Sequence, residues 1–200
     1  MAIFGMPRAD RQRWESARTL ADLGELTALW LEGTVGSQPG YQPGCGPDDE
    51  TTALVPVLAT LCRAGYVTTA SQPAAPRDGA GWEQRAAVHG LAGPALALRI
   101  ADAALAAGLD VIVTQPGRRP GPGDAAVVTR RNGTPVTRFG TLPPRLLRDW
   151  HAGWGLCHPQ AVDALTAAWQ VTVADPVWGR PDVLWRALAA VALAPTGGPR

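Results

Sequence analysis

Between Leu54 and Pro73 the chain changes character abruptly, and this constrains its fold more than any other feature. Leu54, Val57, Leu58 and Leu61 form an apolar stripe at helical spacing that runs up to Arg63. Ala64-Gly65 stops it. Tyr66 to Ala70 follows at once as a short run rich in β-branched residues. A second step of the same kind lies downstream. Pro94 to Gly108 carries Leu96, Ile100, Ala103, Ala104 and Ala107 on one side, and Asp110 to Thr114 reads as a buried strand. Helices that turn through glycine directly into strands predict an α/β fold.

The remaining segments fit that class. Residues 14 to 33 read as helix, with Leu20, Leu23, Leu26, Leu29 and Trp30 on one face. Residues 34 to 47, dense in Gly and Pro, read as loop. Asp48-Asp49 gives an N-cap signal for the next helix, and Pro56 makes that helix start late or bend. Glu83 to Leu91 reads as a strand. Ala125 to Thr129 and Pro135 to Phe139 flank Asn132-Gly133, a hairpin signal. Pro143 to Gly155, Pro159 to Trp169 and Pro181 to Ala194 read as helices around a strand at Val171 to Val173. The expected fold is α/β: a single mixed-sheet domain over 14–194 with flanking helices, between a flexible 1–13 and a flexible 195–200.

Charge and composition exclude several functions. Net charge is +1, so no field attracts nucleic acid or an acidic membrane surface. All 18 basic residues are arginine, which excludes a Schiff-base lysine and a P-loop lysine. Cys45, Cys62 and Cys157 match neither a disulfide framework nor a CxxC metal pattern. With no apolar run of signal or membrane length, the sequence is expected to be cytoplasmic. The Ala, Gly, Pro and Arg bias fits a high-GC genome.

The chemistry concentrates around the first α-to-β step. Glu50-Thr51 stands at the helix entry, and the strand ends Thr68-Thr69-Ala70-Ser71-Gln72-Pro73. Read from spacing alone, these are a capping pair and ordinary strand and turn residues. Together they resemble the S-adenosylmethionine-binding regulatory domain of eukaryotic methylenetetrahydrofolate reductase, over about residues 20 to 190. Glu83 to Val88, residues 95 to 107, Ala168 to Val173 and Asp182 to Trp185 look like its later elements in order. The segment Trp14 to Thr19 also looks like actinobacterial proteins of unknown role.

The resemblance implies a fold and a site. Glu50, Thr51, Thr68 and Ser71 match positions that present a carboxylate and hydroxyls to the ligand; Thr129 and Thr141 fall close to two further threonines. Such groups suit S-adenosylmethionine or S-adenosylhomocysteine, with Glu50 accepting from an ammonium or the ribose and a helix amino terminus facing the carboxylate. Three functions stay open: a free-standing regulatory or sensor-like domain, an S-adenosylmethionine-dependent methyltransferase on a non-Rossmann scaffold, and a ligand-free interaction module. The first implies a separate catalytic protein or a homodimer partner, with no nucleic acid and no membrane.

Other residues carry weaker signals. His89, beside Gly90, is a candidate general base. His151, Cys157 and His158 suggest a metal or a Cys-His pair but lack the zinc repeat, and structural roles are the simpler reading. No metal is expected. Of the eight tryptophans, most read as core; Trp82 and Trp178 sit in loops, where either can cover an adenine or a sulfonium. Arg118-Arg119 and Arg130-Arg131 read as solvated loop pairs.

Overall fold

The computed structural model describes residues 5–149 and 153–194. His151 and the tail at 195–200 lie outside them. The helices are α1 (Arg8–Ser16), α2 (Leu20–Leu31), α3 (Val55–Arg63), α4 (Pro94–Ala106), α5 (Pro144–Leu147), α6 (Pro159–Thr166) and α7 (Val183–Leu193). The strands are β1 (Val67–Gln72), β2 (Trp82–Gln84), β3 (Ala87–Ala92), β4 (Asp110–Thr114), β5 (Ala125–Arg131), β6 (Thr134–Gly140) and β7 (Trp169–Ala174). They form two sheets, of order β1-β3-β7-β4 and β2-β5-β6. The α/β class and the single domain are as the sequence implies. Pairing within both sheets is antiparallel.

Strand alternation builds the layers. In β3 and β7, Val88, Val171 and Val173 join the main core with α2, α3, α4 and α7. Ala87 and Ala174 point the other way and meet Val128 of the second sheet. The same alternation puts His89 and Thr172, cross-strand partners, on that second face. Gly90 lies on the helix side, where a Cβ would come within 2.7 Å of the Val67 carbonyl oxygen and 2.8 Å of the Tyr66 ring. Tyr66, fully buried, donates its phenol to the Val171 carbonyl at 2.8 Å.

Several boundaries differ from the expectation. Residues 8–13, expected to be flexible, belong to helix α1. The stretch 14–33 is two helices, because Thr19 and Asp22 form a capping box that starts α2 afresh. Pro56 sits at the start of α3, preceded by a 3-10 turn over Asp49–Leu54, so the helix starts late and does not bend. Glu83 to Leu91 is not one strand. Arg85 donates its amide to Val128 and its Nε to Val127, and the chain crosses there from one sheet to the other. The helix expected at 143–155 shrinks to Pro144–Leu147. Gly153 packs against the Leu146 carbonyl, and the Trp154 amide donates to Leu147, so the chain doubles back. Trp169 begins β7 and does not extend α6. The Asn132-Gly133 hairpin forms, with φ of 48° and 80° at the turn.

Candidate functional site

Where β1 faces the second sheet, an open cavity of about 730 Å³ is bounded by the 38–51 segment on one side and by β5, β6 and Leu142–Leu147 on the other. Its size is typical of small-molecule sites, roughly 300–1,000 Å³. The wall at 38–51 looks irregular in sequence, yet it is pinned. Asp10 accepts from the Gly36 amide at 3.0 Å, and the Trp14 indole donates to the Ser37 carbonyl at 2.8 Å. Trp30 donates to Cys45 at 3.0 Å and packs edge-on against Tyr41, with centroids 5.2 Å apart. Tyr41 in turn donates to Asp48 Oδ1 at 2.6 Å. That carboxylate, with burial behind it, pushes the Tyr41 phenol up to about 12.

Five of the six candidate ligand residues converge here: Glu50, Thr51, Thr68, Ser71 and Thr129. They arrive from a 3-10 turn, the bulged strand β1 and strand β5 of the other sheet. Their side chains are not equivalent. Among the described residues, no hydrogen bond or ion pair engages the side chains of Glu50, Thr51 or Ser71. Thr68 is occupied, its hydroxyl 3.3 Å from Cys62 Sγ. Burial raises that thiol above its ordinary range. Thr129 donates to Gln72 Oε1 at 3.1 Å, and Gln72 Nε2 donates to the Val128 and Arg85 carbonyls. Gln72 therefore ties the two sheets together at the cavity floor. Its buried place at the end of β1 gives it this role, which residue type alone does not announce.

The expected helix amino terminus is altered. Asp48 holds the N-cap position, but its side chain makes no cap bond and is taken by Tyr41. The Thr51 amide donates to the Asp48 carbonyl at 2.8 Å and is not free for a ligand. What faces the cavity here is acidic: Asp48 and Glu50, with no arginine or histidine among the described lining residues. The rim is apolar. Trp82, Val136 and Leu146 are 38%, 53% and 42% exposed and all border the cavity.

Thr141 is not with the other five. It lines a smaller adjoining cavity of about 290 Å³, where its hydroxyl lies 2.6 Å from that of Thr114. His89 lines this cavity too, not the larger one. Its Nδ1 is 2.8 Å from the Thr172 hydroxyl, and its Nε2 has no partner at hydrogen-bond geometry among the described residues. Burial lowers its pKa to about 4, against a weaker upward pull from Gln170, so the ring is neutral at pH 7.

The other sequence signals resolve into structure. Trp178 is stacked under Arg130 at 3.9 Å and Arg85 at 5.3 Å, away from both cavities. Arg131 lies over Trp82 at 5.3 Å. Arg130 pairs with Glu83 at 2.7 Å and Arg118 with Asp124 at 3.0 Å, so one arginine of each basic pair is engaged in an ion pair within the protein. Cys157 is buried, which pushes its thiol up to about 12, and His158 caps α6 by accepting from the Gln160 amide. Among the described residues no cluster of three or more His, Cys, Asp or Glu could hold a metal, and no helix is long and apolar enough to cross a membrane.

Fold and cavity together define a single-domain α/β protein with an acidic, aromatic-rimmed cleft between two antiparallel sheets. The chain belongs to the DUF6919 family, a domain of unknown function whose model matches residues 9–194. No curated protein matches the sequence.

Proposed function

We propose that the larger cavity binds S-adenosylmethionine or S-adenosylhomocysteine, and that the protein acts as a sensor-like domain that passes ligand occupancy to a partner protein. The observation that supports this most is the convergence of Glu50, Thr51 and Ser71, three side chains free of protein partners, in a cleft that has two carboxylates and no cation on its described lining. Such a site disfavours phosphate-bearing nucleotides and suits a ligand that carries an ammonium, a sulfonium and a ribose diol. Tyr41 and Trp82 line the cavity and supply aromatic surface for the sulfonium and adenine, with Arg131 already over one face of Trp82. Thr68 and Thr129, already bonded within the protein, shape the floor and contribute little directly.

A thermal-shift titration with each ligand tests the reading. At a hundred times its dissociation constant a ligand stabilises the fold by about 2.7 kcal/mol. For a chain of this size that is roughly 5–10 °C in Tm. No shift with either compound removes the proposal in favour of an interaction module. Conversion of one compound to the other in cell extract reassigns the protein as a methyltransferase.

A further inference from the structure

The smaller cavity goes beyond that reading, whatever fills the larger one. Its described lining includes Thr69, His89, Arg138, Phe139 and Thr141, and no carboxylate. Two of its polar groups are already bonded: Thr69 donates to the His89 carbonyl at 3.4 Å, and Thr141 is held to Thr114. Two are not. His89 is 2% exposed, yet among the described residues its Nε2 has no partner at hydrogen-bond geometry, although the Gln170 side chain lies near enough to pull the ring's pKa slightly up. A buried polar atom without a partner costs about 1–3 kcal/mol, and such atoms are rare in native proteins away from water, ligand or functional sites. Arg138 stands exposed at the edge and forms no ion pair among the described residues, unlike Arg118, Arg130 and Arg180 nearby in the same half of the chain.

We propose that this cavity is a second binding site, for a small carboxylic acid in its ionised form, held between the His89 Nε2–H and the Arg138 guanidinium. The 2.8 Å contact between Nδ1 and the Thr172 hydroxyl fits either tautomer; the proposal requires the one in which Thr172 donates to Nδ1, which puts the ring proton on Nε2 as a donor. One fixed cation and one neutral donor match a monoanion. A dianionic phosphate would need further positive charge, and burial holds the imidazole neutral. The volume, about 290 Å³, lies at the small end of ligand sites and limits the acid to a short chain or a single ring. Thr69, Ala70, Phe139 and Leu142 line both cavities, so the two share a wall. An anion on one side of it faces an acidic cleft on the other.

Imidazole-detected NMR on the intact protein tests this, because the sequence holds three histidines and their signals are separable. Propionate and benzoate are the probes, and propionamide is the uncharged control. The expected result is a saturable shift of the His89 ring signals with at least one acid and not with propionamide. In Arg138→Ala, a change at an exposed position, that affinity falls at least tenfold. Absence of a His89 response to both acids overturns the proposal. So does an equal response to propionamide, or an undiminished response in Arg138→Ala.

Discussion

The four-stranded sheet has two faces made by the same strands, and they are opposites. Toward the helices, β3 and β7 send Val88, Val171 and Val173 into a dense core with Leu58, Leu61, Tyr66, Ile100 and Leu184, all fully buried. Toward the second sheet they send Ala87, Ala174, His89 and Thr172, and the apolar cluster there is small. Gaps remain on that side and become the two cavities, closed by polar ties such as Gln72 to Val128 and Thr129. Apolar packing is concentrated on one face, which leaves the other with the open volume; among the described residues, unpaired buried polar atoms occur on both, at His89 Nε2 and at the Trp185 indole of α7. A strand with a period of two can serve both purposes at once.

The sharpest way to break this contrast is on the helix side. Tyr66→Ala should cost about 3–5 kcal/mol, because a fully buried ring leaves a cavity that packed neighbours cannot close. Urea unfolding measures it. A loss below about 1 kcal/mol would mean that the helix face does not carry the fold.

His89 tests the other face by pH. Its folded pKa, about 4, lies below the ordinary 6.5, so the unfolded chain takes up the proton first as pH falls. This contribution to stability is therefore flat above about pH 6.5. It declines between pH 6.5 and 4, by about 3 kcal/mol in all. The other charged group on the described lining of its cavity is Arg138, which stays charged throughout. Comparison of His89→Gln with the parent chain isolates the effect: the variant should lack that share of the acid sensitivity.

Gln72→Ala comes next. It removes the bonds to the Arg85 and Val128 carbonyls and to Thr129, while Val128 keeps the Arg85 amide, and at about 0.5–1.5 kcal/mol per bond should cost about 1–3 kcal/mol in all. It should also weaken S-adenosylmethionine binding by releasing Thr129. Smallest is the split within β1. Ser71→Ala should reduce affinity several-fold, about 1 kcal/mol for one hydrogen bond, whereas Thr68→Ala, whose hydroxyl is bonded to Cys62, should change it less than twofold. Calorimetry that found the reverse order would show that the two hydroxyls have been assigned the wrong roles.

Much of this architecture is legible in the sequence where the signal is local. The α-to-β step at Gly65, the Asn132-Gly133 hairpin and the stripes of α3 and α4 follow from glycine, turn chemistry and periodicity. The capping box at Thr19 and Asp22 is equally local, and it divides 14–33. What stays hidden is long-range. Nothing local says that Arg85 carries the chain from one sheet to another, or that Gly153 folds back on Leu146. The cavity follows the same rule. Glu50, Thr51, Thr68 and Ser71 are close in sequence and meet in space, but Thr141, just past the end of β6, is held by Thr114 in the smaller cavity. The wall at 38–48 depends on tryptophans whose indoles hold distant carbonyls, a role that an apolar helical stripe does not reveal.

A crystal of the protein soaked in S-adenosylmethionine shows whether the cleft between the sheets is the ligand site. The nucleoside is expected in the larger cavity, with Glu50 and Ser71 within hydrogen-bond distance of it and Tyr66 and its neighbours unmoved. An empty larger cavity at saturating ligand, or the ligand bound elsewhere, would contradict it.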